Sequence, residues 1–338
     1  MNVGGRLMLR HGDVVREVET PGYTMFSHLS ITNKDSIYCI GQGPRKSSSI
    51  LKIDVAYKKD PSSITVIRES RNSTEIDAMD ISEPANINFE SNGVKVSAWF
   101  YKPKNRSYIE NVSTLPPVLV LGHYGPTAYA SNVFDIKKQF FTSRGFAVLD
   151  INYRGSTGFG SSFRHMFVNF LIFQCMLKNQ WGIVDRDDII NGTKAIIERG
   201  LVDKDRVCIM GSSAGGYLVL ASLIHSDIFK AAVSIYGVAD LVGLAKDTHK
   251  FEKGYNEILI GKYPEDEHIY KERSPINHIH KIKTPIAFLH GKEDTVVPVQ
   301  QSIDMYERLK MEGVTTALMT FESESLFQHL EWDIFQMF

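Results

Sequence analysis

The chain has 338 residues, 43% hydrophobic and 23% charged, which is the composition of a globular protein with one large domain or two ordinary ones. Its 38 basic and 39 acidic residues leave a formal net charge of -1, without the basic bias of a nucleic-acid binder or of a protein held to an anionic membrane. No apolar run approaches the ~18 to 20 residues of a membrane span, and Met1-Asn-Val-Gly-Gly-Arg6 lacks the apolar core of a signal peptide. Cys39, Cys175 and Cys208 are odd in number and far apart, so they read as reduced thiols of an intracellular, cytoplasmic protein, and none has metal-ligand spacing. The sequons at Asn72, Asn105, Asn111 and Asn191 then read as coincidental.

Residues 1 to about 84 carry short alternating runs, Ser36-Ile-Tyr-Cys-Ile40, Ser49-Ile-Leu-Lys-Ile-Asp-Val55 and Ser63-Ile-Thr-Val-Ile67, separated by Gly, Pro, Ser and Asn. That is antiparallel β patterning with turn chemistry, too short to close a barrel or propeller and left with open edges. From about residue 85 the pattern changes. Asn86-Ile-Asn-Phe89 and Val94-to-Tyr101 form a predicted hairpin around Glu90-Ser-Asn-Gly93. Short apolar runs follow at Pro117–Leu121, Phe146–Asn152, Val207–Met210, Ala231–Tyr236, Ile286–His290 and Thr316–Phe321. Helices are expected between them near 132–143, 184–199, 214–225 and 299–311. Strands alternating with helices predict an α/β fold, a mostly parallel sheet covered on both faces, preceded by a short antiparallel β segment. Such sheets carry ligands at the carboxyl ends of their strands.

Gly211-Ser-Ser-Ala-Gly-Gly-Tyr217 holds a G-x-S-x-G between the strand run Arg206–Met210 and the helical run Tyr217–Ile224. A serine on a sharp strand-to-helix turn takes strained backbone angles, and small neighbours let the turn close. Ser213 is therefore the candidate nucleophile, with the Ala214 N–H at the helix start as an oxyanion donor. A glycine-rich turn without chemistry is the plainer reading. A serine nucleophile needs a base and an orienting acid, which in α/β-hydrolases follow in the order Ser, acid, His. Asp294, in His290-Gly-Lys-Glu-Asp294-Thr-Val-Val-Pro298 after a core strand, is the candidate acid; the alternative for it is an Asx turn or a solvated charge. Asp240 and Glu293 are weaker candidates. The second oxyanion donor belongs to the loop after an early strand. Here that is Gly122-His123-Tyr-Gly-Pro126, with His123 either at the site or an ordinary loop residue. Gly155, Gly158 and Gly160 lack the spacing and the helix of a dinucleotide fingerprint, so no cofactor is implied.

These stretches, with Phe140-to-Gly160, Asn179-Gln-Trp-Gly-Ile-Val-Asp-Arg-Asp-Asp188, Tyr236-Gly-Val-Ala-Asp240 and Asp247-Thr-His-Lys-Phe251, closely resemble the prolyl oligopeptidase family. The resemblance covers about 85 to 325 and is strongest to the acylaminoacyl-peptidase and dipeptidyl-aminopeptidase-like branch. It implies an α/β-hydrolase peptidase domain over 85–338, with Ser213 as nucleophile, Asp294 as orienting acid and oxyanion donors at Ala214 and near His123. It implies short peptides as partners and leaves self-association open. Because relatives place a β-propeller before this domain, residues 1–84 resemble the last strands of one. Relatives also end in a further helix, so the chain reads as truncated at its C-terminus.

Two departures from the family bear on activity. The family histidine follows the last core strand, where this chain has Glu322-Ser-Glu-Ser-Leu326-Phe327, so Leu326 stands in its place. His329, three residues on, is the candidate substitute base if a shifted loop brings it to Ser213; the alternative for it is a surface histidine in an altered tail. The second departure is an added apolar segment, Val168-Asn-Phe-Leu-Ile-Phe-Gln174, which reads either as a partner-docking patch or as a retained short intron, since it can be encoded by a T-rich run beginning GT and ending AG. The expectation is a serine peptidase of short peptides. A carboxylesterase and a catalytically inert chain stand as alternatives.

Overall fold

A computed structural model of the chain describes residues 5–11, 13–32, 36–55, 63–108, 114–159, 176–247 and 250–322. The chain divides into two compact units.

The smaller unit combines Met1–Ala85 with Tyr101–Ile109 and Ser131–Gly145. It begins with an antiparallel pair, β1 (Met8–His11) and β2 (Val14–Glu17). A four-stranded antiparallel meander follows: β3 (Met25–Ile31), β4 (Ser36–Gly43), β5 (Lys46–Asp54) and β6 (Ser63–Glu69), paired in that order. Because successive strand residues face opposite sides, Ile37 and Cys39 of β4 and Leu51 and Ile53 of β5 share one face. They bury there against Leu7, Val18 and Tyr23. Helix α1 (Ser73–Ala78) is capped by the Asn72 side chain, which accepts from the Thr74 N–H. Helix α2 (Ile136–Thr142) starts four residues later than the periodicity predicts, because Asp135 caps it by accepting from the Lys137 N–H.

The larger unit combines Asn86–Phe100, Glu110–Ala130 and Phe146–Phe338. Its strands are β7 (Ala85–Ser91), β8 (Val94–Tyr101), β9 (Val118–Gly122), β10 (Ala147–Asn152), β11 (Val207–Ser212), β12 (Ala231–Ile235), β13 (Ile286–Gly291) and β14 (Thr316–Phe321). They form one sheet in the order β14-β13-β12-β11-β9-β10-β8-β7, and the six from β14 to β10 run parallel. This is the mostly parallel sheet the sequence predicts. Every residue of β10 is buried, as in a strand covered on both faces. The helices are α3 (Val184–Glu198), α4 (Ala214–His225), α5 (Leu241–Asp247), α6 (Lys250–Leu259), α7 (Glu267–Arg273) and α8 (Gln300–Met311). All residues of α4 from Ala214 to Leu223 are buried, which is why its sequence is apolar all round rather than amphipathic. The strand order reverses at β9, which lies between β10 and β11. Ligand crevices in such sheets open at this switch point, past the carboxyl ends of the strands.

The first two turns of α3 carry two buried carboxylates with different partners. Asp188 receives a bidentate pair from Arg154, whose Nη2 lies 2.7 Å from Oδ1 and whose Nε lies 3.0 Å from Oδ2. Among the described residues Asp185 has no such cation: its Oδ1 accepts from the Gly182 N–H at 2.8 Å. Burial raises the Asp185 carboxyl from 3.8 to about 7. The unfolded chain releases this proton near pH 4, whereas the folded chain keeps it to about 7. The native state therefore binds more protons across that window, and its stability falls as pH rises through it, by on the order of 4 kcal/mol at most. Asp185→Asn keeps an oxygen for Gly182 and carries no charge. We expect it to flatten the profile of melting temperature against pH between 4 and 7 and to be more stable than the parent at pH 7.5. An unchanged slope in the variant would show that the group is ionised throughout.

Candidate active site

Ser213 stands between β11 and α4 with φ 53° and ψ -119°, a strained conformation for a residue with a side chain. Its N–H donates to the Ile235 carbonyl at 3.0 Å and its carbonyl accepts from the Tyr217 N–H at 3.0 Å, so both sides of the turn are pinned. The flanking glycines are required by close approach. A Cβ at Gly215 would stand 2.2 Å from the Gly122 oxygen, and one at Gly211 would stand 2.4 Å from the Gly215 oxygen. The start of α4 can therefore rest on the ends of β9 and β11. Ala214 opens the helix, where backbone N–H groups lack helical acceptors and the dipole favours negative charge. The turn can thus present a hydroxyl nucleophile beside an N–H able to receive an oxyanion.

The same contact brings the loop after β9 next to the elbow, since the Gly215 Cβ position is also 2.9 Å from the His123 oxygen. Sequence reasoning places the second donor near His123, and the structure refines this. The His123 side chain is buried and its ring stacks on Tyr153 at 3.9 Å. Burial lowers its pKa to about 4, so the imidazole is neutral at physiological pH and turned inward. The His123 carbonyl accepts from the Tyr153 hydroxyl at 3.0 Å, and the Tyr124 and Gly125 carbonyls face His123 Nδ1 at 3.4 and 3.2 Å. A trans peptide points its N–H opposite to its carbonyl. The N–H groups of Tyr124 and Gly125 therefore face the open side of the loop, where Tyr124 is exposed. These two groups are the candidate N–H donors that the loop offers near His123. Composition gave no hint of this, because it depends on a ring 30 residues away in β10's following turn.

Asp294 lies in the turn after β13 and is buried, whereas its neighbour Glu293 is exposed. Its Oδ1 accepts from the Val296 and Val297 N–H groups at 2.8 and 2.9 Å. It is an Asx turn as well as a candidate acid; the two readings are compatible because each uses a different oxygen. Among the described residues Oδ2 has His290 Nε2 at 3.7 Å, too long for a hydrogen bond. His290 is fully occupied by Val297 O at 2.8 Å and Ser302 Oγ at 2.7 Å, and burial lowers its pKa. A carbonyl can only accept, so Nε2 carries the proton and Nδ1 accepts from Ser302; this histidine is a support of the turn, not a base. Asp240 instead caps α5, accepting from the Val242 N–H at 2.9 Å.

Ser213, Tyr236 and Asp294 follow the adjacent strands β11, β12 and β13. With strands ~4.8 Å apart, two spacings separate the serine from the acid by roughly 10 Å, room for an imidazole between them. Tyr236, which sequence reasoning gave no role, has φ 37° and its ring meets His290 edge-on at 6.5 Å. The chain leaves β14 beside the acid turn, where the Lys292 N–H donates to the Phe321 carbonyl at 2.9 Å. Leu326 and His329 lie beyond this point, outside the described residues, as do Cys175 and the Val168–Gln174 segment.

The profile described as the prolyl oligopeptidase family matches residues 132–325. Dipeptidyl aminopeptidase BIII of Pseudoxanthomonas mexicana is 29% identical over 214 residues, 62% of this chain and 30% of its own length. Acylamino-acid-releasing enzyme 1 of Oryza sativa subsp. japonica is 29% identical over 222 residues, 63% of this chain and 27% of its own. The solved structure of a puromycin-hydrolyzing peptidase from Mycobacterium tuberculosis superposes with a TM-score of 0.87 at 32% identity, covering 98% of this chain and 50% of that one. The chain thus spans half or less of the length of these relatives.

Proposed function

The chain belongs to the prolyl oligopeptidase family, and on that footing we propose that it hydrolyses short peptides through an acyl-enzyme on Ser213. Ser213 Oγ attacks the scissile carbonyl carbon, and its proton passes to a histidine, assigned here to His329, whose ring Asp294 orients. The N–H groups of Ala214 and of the Tyr124–Gly125 stretch receive the oxyanion. The tetrahedral adduct collapses, the C–N bond breaks and the histidine's proton leaves with the amine. Water then attacks the ester by the reverse transfers and restores the serine. The observation that carries this reading is the strained Ser213 elbow at the switch point of the sheet.

Short substrates are supported by the relatives' names, which describe a dipeptidyl aminopeptidase, an acylamino-acid-releasing enzyme and a puromycin-hydrolyzing peptidase. The catalytic domain in this reading is 85–338, and residues 1–84 are a β-rich segment of propeller type. Free thiols at Cys39 and Cys208 support a cytoplasmic location. No helix among the described residues is long and apolar enough to cross a membrane.

Leu326 in the family's histidine position favours a second reading, an inert chain. Treatment with a fluorophosphonate probe followed by peptide mapping separates the two. We expect one phosphonyl adduct, on Ser213; a folded chain that takes no probe would be inert. If the chain takes the probe, turnover of acyl-amino-acid anilides against simple esters by the untreated chain then decides between peptidase and carboxylesterase.

A further inference from the structure

Five described residues other than glycine have positive φ, and two of them stand side by side: Ser213 at 53° and Tyr236 at 37°. They also lie at one level of the sheet. Ser212 pairs with Ile235 across β11 and β12, and Ile235 pairs with Leu289 across β12 and β13. One residue further, the Ser213 N–H donates to the Ile235 carbonyl at 3.0 Å and the Tyr236 N–H to the Leu289 carbonyl at 2.7 Å. The left-handed region is unfavourable for a residue with a bulky side chain, so its surroundings must hold Tyr236 there.

The cause is the next residue. Gly237 lies against Gly216 in the first turn of α4. A Cβ at Gly216 would stand 2.6 Å from the Gly237 Cα, and one at Gly237 would stand 2.8 Å from the Gly216 carbonyl carbon and 2.3 Å from Ser234 Oγ. To leave β12 and make this contact the chain must turn at once, and the turn falls on Tyr236. A glycine would follow that path without strain. The backbone therefore does not call for a tyrosine here, and the use of this residue lies in its ring.

The Tyr236 ring is 2% exposed and meets His290 edge-on at 6.5 Å. Burial raises its hydroxyl above the ordinary phenol value, and the groups that act on this hydroxyl are Ser212 at the end of β11, Asp294 after β13 and Tyr124 in the loop after β9. These groups come from the three elements that surround the nucleophile. The ring thus lies beneath the gap of roughly 10 Å between Ser213 and Asp294. An imidazole must stand in that gap to take the serine's proton while the acid orients it.

We propose, on the serine-hydrolase reading above, that Tyr236 is a positioning residue whose ring is the surface against which the base's imidazole stands between Ser213 and Asp294. Such a ring meets the imidazole and not the substrate. Its loss lets the imidazole tilt away from the serine, so kcat falls while KM stays. A purely structural residue would carry no such split. The strain at residue 236 is then the cost of keeping a flat side chain where glycine would fit the path better.

Tyr236→Met keeps an apolar side chain of similar reach without the flat ring, and Tyr236→Phe keeps the ring without the hydroxyl. For hydrolysis of an acyl-amino-acid anilide, the methionine variant is expected to lose about 10- to 100-fold in kcat with KM within about threefold, and phenylalanine should restore kcat to within about threefold of the parent. Equal kcat in methionine and parent, a loss confined to KM, or an equal loss in both variants would overturn the proposal. A second readout needs only the parent and the conservative variant, whether or not the methionine chain folds. With ring-13C tyrosine, the resonance missing from Tyr236→Phe identifies Tyr236 in the parent. It should titrate with the midpoint of the acid limb of kcat/KM, because the base beside it gains its proton there. A flat resonance, or one that titrates only below that limb as buried His290 would, overturns the proposal. A parent that takes no fluorophosphonate sinks the hydrolase reading and the role of Tyr236 together, whereas a reactive parent with a flat Tyr236 resonance sinks that role alone.

Discussion

Ser213→Ala is expected to fold as the parent does and to take no fluorophosphonate, with peptide hydrolysis down by about 10⁶-fold. The stability half of this expectation follows from the backbone. At φ 53° and ψ -119°, a residue with a Cβ costs on the order of 1 to 3 kcal/mol, and that cost belongs to the chain path rather than to the hydroxyl. Alanine keeps both the Cβ and the cost. Ser213→Gly removes them, and although glycine usually weakens a helix boundary by loosening the unfolded chain, here relief of strain should win. The glycine variant should unfold about 1 kcal/mol later than the alanine variant in urea. Both should be unreactive. A glycine variant less stable than the alanine one would mean the elbow carries no strain. An alanine variant that still takes the probe would place the nucleophile elsewhere.

The elbow was legible because its requirements are local. An apolar strand run, six small residues (Gly211–Gly216) and an apolar helix run lie within twenty positions, and each constrains the next. Asp294 was legible for a similar reason, as an acid just past the end of a core strand. His123 shows where such reading stops. The sequence places it in the loop after β9, but the direction of its ring depends on Tyr153 and Ser156, about 30 residues downstream, and on carbonyls that turn inward at Gly125, where φ is 68°. The three helices α5, α6 and α7 were not anticipated either. Residues 241–273 mix short polar and apolar stretches without a long period, and the chain there is ordered by contacts made elsewhere. The Tyr217 hydroxyl, for instance, donates to the Arg273 carbonyl at 3.2 Å, and the Asn179 N–H to the Ile258 carbonyl at 2.9 Å. The grouping of Tyr101–Ile109 and Ser131–Gly145 with the first 85 residues is likewise non-local, and no composition shift marks it.

Asp294→Asn is expected to slow hydrolysis by about 10⁴-fold while leaving the fold in place, and the reason lies in how the two oxygens are used. Oδ1 accepts from the Val296 and Val297 N–H groups, and an asparagine oxygen can do the same, so the turn survives. The other position changes from a charged acceptor to an amide donor. A histidine that should donate its Nδ1–H there would meet two facing donors, and would either turn away or take the wrong tautomer. Asp294→Ala tests the other half. It removes the turn's acceptor as well and should cost about 1 to 2 kcal/mol of stability through two buried N–H groups left without partners. Activity lost in alanine but retained in asparagine would make Asp294 a turn residue only. Loss in both, with stability lost only in alanine, separates orientation of the base from support of the loop. The same pair of variants bears on the base. If His329 takes the proton, His329→Ala in the Asp294→Asn background should add little, since an acid and the histidine it orients act as one unit. Full multiplicative loss would mean that the base lies elsewhere in the chain.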